Sequence, residues 1–141
     1  MSLKQSLDTL VVSTKGRGFT DATGELQRWL AQVEAHDGLL TVFIRHTSAS
    51  LLVQENADPT VRSDFERFFS KLVADGDPMF EHDDEGPDDM PAHVRSALTQ
   101  TQLSIPVRGG RAQLGTWQAV YVWEHRHAPH RRELALHYLG T

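Results

Sequence analysis

The stretch Leu39-Leu40-Thr41-Val42-Phe43-Ile44-Arg45-His46-Thr47-Ser48-Ala49-Ser50-Leu51-Leu52-Val53-Gln54-Glu55-Asn56-Ala57-Asp58-Pro59 decides the fold. Leu39–Arg45 and Leu51–Gln54 read as two strands, with His46–Ser50 in or beside their connection. Asp58-Pro59 then starts a helix, because Asp caps helix N-termini well and proline fits the first helical position. That helix is expected to bury Val61, Phe65, Phe68, Phe69 and Leu72 and to stop near Asp75-Gly76.

Toward the N-terminus, Leu7–Thr14 reads as a strand closed by a turn at Lys15-Gly16-Arg17-Gly18. Leu26, Trp29, Leu30 and Val33 follow helical spacing from Thr23, and Asp37-Gly38 ends that helix. Toward the C-terminus, Gly76, Pro78, Gly86 and Pro87 make the acidic segment an irregular loop. Asp89-Met90-Pro91 restarts a short helix to about Leu98, with His93 in its first turn. Strands are then expected at Leu103–Val107, Arg111–Arg126 and Arg132–Leu139. The order β-α-β-β-α-α followed by strands predicts an α+β fold with a largely antiparallel or mixed sheet and two to three helices. Residues 1–141 fit one such domain.

Composition removes several function classes. There is no cysteine, so disulfides, thiolate catalysis and Fe–S clusters are excluded, and any transition metal must be held by His and carboxylate. The net charge of −5 is uneven: residues 75–89 hold eight carboxylates and no Lys or Arg. No basic stripe with interleaved aromatics is visible, which disfavours nucleic acid. The N-terminus lacks the apolar core of a signal peptide, and no apolar run approaches membrane-spanning length. The expectation is a cytoplasmic protein that binds neither nucleic acid nor membrane.

The polar motifs each admit two readings. Three hydroxyls in His46-Thr47-Ser48-Ala49-Ser50 suit phosphate oxygens, or equally a turn bonding its own backbone. Asp58 has a sufficient role as a cap, whereas Asn56 has none and could face a ligand. His82 and Glu85 are close enough on one loop to reach one ion, and His93 can return from the helix start; His46 would complete a three-histidine set suited to Zn. The carboxylates would instead suit Mg or Ca, and the bland alternative is a solvated acidic loop. Glu124 could accept from a ligand amino group, and Arg126 and Arg132 could meet an anion or form ion pairs at a sheet edge. His125, His127, His130 and His137 have no matching carboxylate spacing in the sequence and read as surface or interface residues.

Four segments carry a resemblance. They are His46-Thr47-Ser48-Ala49-Ser50, Glu55 through Arg62, His82 through Glu85-Gly86 to Met90-Pro91-Ala92-His93, and Leu114-Gly115-Thr116-Trp117-Gln118 with Glu124. In this order they resemble the YjbQ-like family, also called secondary thiamine-phosphate synthases, over about residues 10 to 140. The resemblance implies a homotrimer with a polar pocket near subunit contacts. It also implies a weak synthase that joins hydroxymethylpyrimidine pyrophosphate to hydroxyethylthiazole phosphate and releases pyrophosphate. Its His and acidic motif positions fall on His46, His82, Glu85, His93 and Glu124. The candidate metal ligands are then His46, His82 and His93, holding a divalent ion, Zn or Mg. Glu85, Glu124 and Asn56 are the candidate catalytic groups; Ser48, Ser50, Gln118, Arg126 and Arg132 are candidates for phosphate or ligand contact. Relatives carry Gly-Pro-Arg-x-Arg where this chain has Ala128-Pro129-His130-Arg131-Arg132, so Arg132 matches and His130 does not. Two other functions fit the same residues: a metal-dependent hydrolase using three histidines, and a non-catalytic trimeric binder of a phosphorylated metabolite.

Overall fold

The computed structural model describes residues 2–141. Its elements run β1 (Lys4–Ser13), β2 (Gly18–Asp21), α1 (Thr23–Gln32), β3 (Gly38–Ile44), β4 (Ala49–Glu55), α2 (Pro59–Leu72), α3 (Asp89–Leu98), β5 (Gln102–Arg108), β6 (Arg111–Ala112), β7 (Gln118–Glu124) and β8 (Arg131–Gly140). The result is a single α+β domain with three helices and two antiparallel sheets. One sheet has the order β1-β8-β3-β5-β6, the other β2-β7-β4. The core includes Leu40, Val42 and Ile44 of β3, Leu134, Leu136 and Tyr138 of β8, Val120 and Val122 of β7, and Leu26 and Leu30 of α1. Alternate residues of β3 and β8 supply it, as period-two patterning requires.

Three expectations need correcting. Arg111–Arg126 is not one strand: β6 holds two residues, and an irregular stretch precedes β7. β2 lies where only a turn into α1 was expected, and it covers one edge of β7. The helix at Pro59 begins as predicted, with Asp58 Oδ1 accepting from the Thr60 N–H at 2.9 Å, but its apolar stripe is only partly used. Phe65 and Phe69 pack edge-on against Trp123 at 6.2 and 4.9 Å, whereas Phe68 and Leu72 are exposed. The apolar stripe of α2 is wider than the strand face it covers.

β7 is buried from Ala119 through Glu124, and the burial continues into His125. One face joins the core while the other lies under Phe19 and α2, so polar groups at its C-terminal end are pulled inside. That end, with the connection from β3 to β4 and the start of α3, forms the polar centre.

Candidate functional site

α3 presents Asp89 and His93 four residues apart, hence on one face. The loop from α2 brings His82 to them, and His82 Nε2 lies 2.7 Å from Asp89 Oδ2. His93 Nε2 stands 3.3 Å from the same oxygen. One donor atom from each of His82, Asp89 and His93 lies within 4.8 Å of the others. The Nδ1 of His93 is 2.9 Å from the Thr47 carbonyl oxygen. A carbonyl only accepts, so Nδ1 carries the proton and Nε2 of the neutral ring keeps a lone pair. A lone pair facing a carboxylate oxygen calls for a proton or a cation between them. Two imidazoles and one carboxylate fit a borderline divalent ion such as Zn²⁺ better than Mg²⁺, which prefers oxygen.

Arg126 organises the acidic side. Its Nη1 donates to Asp89 Oδ1 at 2.9 Å, its Nε to Asp88 Oδ2 at 3.1 Å, and its Nη2 to the Glu85 carbonyl at 2.9 Å. Asp89 Oδ2 is thereby left for the histidines. Burial alone would raise the Asp89 pKa, but the His82 hydrogen bond and the His93 and Arg126 charges hold it below the ordinary carboxylate value. The base of the loop is tied as well. Arg17 grips Asp75 through two nitrogens at 2.9 and 3.0 Å, and the Gly76 N–H donates to the Pro87 carbonyl at 3.0 Å. Gly16, at φ +108°, lets the backbone approach His127, where an added Cβ would sit 2.4 Å from the carbonyl oxygen.

Two cavities flank the cluster. One of about 320 Å³ is lined by His82, Phe80, Asp83, Pro87 and Met90 within the acidic loop. The other, about 440 Å³, is lined by His93, His46, Arg45, Thr47 and Thr101.

The structure therefore gathers part of the expected set. Asp89, not His46, stands with His82 and His93. His46 faces the second cavity, where its Nε2 accepts from the Glu133 N–H at 2.7 Å. Burial, then the Arg132 charge, lowers its pKa. Glu85 is exposed and contributes its backbone carbonyl to Arg126. Glu124 is fully buried and accepts from Thr14 Oγ1 at 2.7 Å, from Arg132 Nε at 2.8 Å, from Arg132 Nη2 and from the Arg126 N–H at 3.1 Å. Burial would raise its pKa, yet Arg132, Thr14 and that N–H hold it low. Ser48 Oγ accepts from Arg132 Nη2 at 2.9 Å, and Ser50 is buried against His125 Nε2 at 2.8 Å. Asn56 and Gln118 lie at the other end of the three-stranded sheet, since Glu55 pairs with Gln118 and Ala49 with Glu124. Along seven-residue β7 this is a separation of about 20 Å.

Comparison with known proteins follows the same lines. A family model described as "UPF0047 protein YjbQ-like" matches residues 8–141. The chain belongs to the YjbQ-like UPF0047 family. A UPF0047 protein of Synechocystis sp. is 47% identical over 139 residues, spanning 99% of this chain and 95% of that protein. The YjbQ protein of Escherichia coli O157:H7 is 49% identical over 129 residues, spanning 90% and 93%. A conserved hypothetical protein from Thermus thermophilus has a similar crystal structure, with a TM-score of 0.82, 35% identity and coverage of 91% and 97%. A YjbQ-like structure from Sulfolobus solfataricus superposes with a TM-score of 0.88 at 20% identity, covering 99% and 100%, which speaks to fold alone. These names give a family and no thiamine-phosphate synthase activity. Among the described residues, no helix is long and apolar enough to cross a membrane.

Several residues that build this YjbQ-like centre escaped the sequence reading. Asp89 was the detectable one, because an acid four residues before His93 on a predicted helix shares its face. His125 is a correction: it is fully buried instead of on the surface. Arg95, also fully buried, pairs with Glu66 and donates from Nε to His125 Nδ1 at 3.1 Å. No local signal marks that pair, which joins α2, α3 and the end of β7.

Proposed function

We propose that this chain is a metal-assisted enzyme acting on a phosphorylated small molecule, with thiamine-phosphate synthesis from the two phosphorylated precursors as its specific reaction. The observation that carries the metal reading is the convergence of His82, Asp89 and His93, with the His93 tautomer fixed by Thr47. The specific reaction rests on the resemblance of the four motifs. A divalent ion held there would supply positive charge to a departing pyrophosphate. The chain's own part is to orient and to exclude water. Arg126 holds Asp89 in place, and the tied acidic loop covers one side of the cluster. His82 lines one cavity and His93 the other, so the cluster presents a nitrogen donor toward each.

A homotrimer is part of this proposal. Strands exposed on one face normally carry polar residues there, but the outer face of the five-stranded sheet shows Leu7, Val11, Leu39, Phe43 and Leu139. A second copy covering that face would remove the patch from water. In a trimer, the Asn56–Gln118 end of one subunit could then approach the histidine cluster of another.

The test is metal analysis of protein purified without chelator, followed by turnover assays with both precursors. Bound Zn that is lost in His82→Ala and His93→Ala, together with formation of thiamine phosphate, supports the reading. Metal content unchanged in both variants rules out the ligand set. Metal-dependent hydrolysis of phosphate esters without condensation would favour the hydrolase instead.

A further inference from the structure

His46 and Arg132 meet in a way that protein groups alone do not satisfy. The Glu133 N–H donates to His46 Nε2 at 2.7 Å, so the neutral ring must carry its proton on Nδ1. That Nδ1 lies 3.4 Å from Arg132 Nη1. A guanidinium has donors only, so two N–H groups face each other. Among the described residues neither has an acceptor at this point. Arg132 is 4% exposed, and its other nitrogens are taken by Glu124 and Ser48, which fix the direction of Nη1. The second cavity, about 440 Å³, opens on His46 and is lined also by Arg45, Thr47 and Thr101, with no acidic side chain among its lining residues. Arg45 is more than half exposed, and its nearest carboxylate, Glu133, is 3.6 Å away, beyond a good hydrogen bond.

We propose that His46 Nδ1–H, on the wall of the cavity it shares with His93, and Arg132 Nη1, buried behind that wall 3.4 Å from it, form an oxyanion subsite taking one oxygen of a phosphoryl group. The remaining oxygens fall to Arg45 and the Thr47 and Thr101 hydroxyls, a spread of donors suited to a tetrahedral group more than to a planar carboxylate. The subsite deepens the function proposed above and rests on it only in taking the phosphoryl group to be part of the substrate. It moves anion binding away from Ser50 and Gln118, and it gives Glu124 the task of aiming Arg132.

The test uses metal-free protein titrated with inorganic phosphate and with pyrophosphate, read by calorimetry and by ¹H–¹⁵N spectra of the imidazoles. His46 is expected in its Nδ1–H form, with resonances that move saturably as either anion is added. His46→Gln keeps a side-chain carbonyl for the Glu133 N–H and should weaken binding roughly tenfold, the usual cost of one charge-assisted contact. Phe68→Ser, at an exposed residue that lines neither cavity, should leave phosphate affinity unchanged. Resonances of His46 that ignore both anions, an Nε2–H tautomer, or wild-type binding by His46→Gln would each overturn the subsite. Acetate binding as tightly as phosphate would overturn the phosphoryl assignment. Failure of the metal reading shows elsewhere, as wild-type metal content in His82→Ala, and does not touch this titration.

Discussion

His125 and the His82–His93 pair lie within one polar centre and behave as opposites. His125 is sealed: Arg95 Nε donates to its Nδ1, so its Nε2 carries the proton and donates to Ser50 Oγ. With that tautomer it cannot take a proton from Ser50, so this buried Ser–His contact is no nucleophile. Burial first, then the charges of Arg95, Arg17 and Arg132, push its pKa down to about 2. His82 and His93 keep access to solvent, share one carboxylate oxygen and border cavities. Histidine chemistry is thus decided by which ring nitrogen is already bonded, and to what.

The contrast can be broken most forcefully at Arg95. Arg95→Met leaves Glu66 with the Trp123 indole N–H but no cation, and His125 without its donor, and should cost about 3–5 kcal/mol in urea unfolding. A loss below about 1 kcal/mol would mean that the sealed network is not structural. His125 gives the next effect. Its folded pKa lies below the unfolded value of 6.5, so the neutral ring's contribution is whole above that pH. As pH falls, the unfolded chain binds a proton that the folded chain refuses, which removes about 2 kcal/mol by about pH 5. His125→Gln should be less stable at neutral pH yet show a shallower acid slope than wild type.

On the open side, Arg126→Gln releases Asp89 Oδ1 and should weaken Zn²⁺ binding by about 10–100-fold in a chelator competition. Thermal stability in the metal-free state would then change less than for Arg95→Met. The smallest effect belongs to α2: Phe68→Ser should change unfolding free energy by no more than about 0.5 kcal/mol, because the ring is exposed. A larger loss would mean that a partner chain covers it.

Local chemistry made much of this legible. The Asp58-Pro59 helix start, the short helix from Asp89 and the strands around His46 follow from caps, proline and alternation over a few residues. The histidine–carboxylate cluster was only half legible. Loop 82–93 advertises its histidines, but whether His46 joins them depends on Glu133, a partner 87 positions away on β8. Likewise nothing near His125 reveals burial, because the groups that close on its ring, Ser50 and Arg95, lie 75 and 30 positions away. At β7 alternation carries little information, because both faces are covered and polar residues end up inside.

The bond from Glu133 to His46 has one more consequence. Pairing of β3 with β8 ends at Ile44 opposite Leu134, and just beyond it an imidazole, instead of a carbonyl, takes the next amide. The ring therefore substitutes for main chain, and position 46 answers to two separate selections. A library sorted for folding should keep any side chain that can receive that amide, Asn and Gln included. A library sorted for anion capture should keep histidine alone.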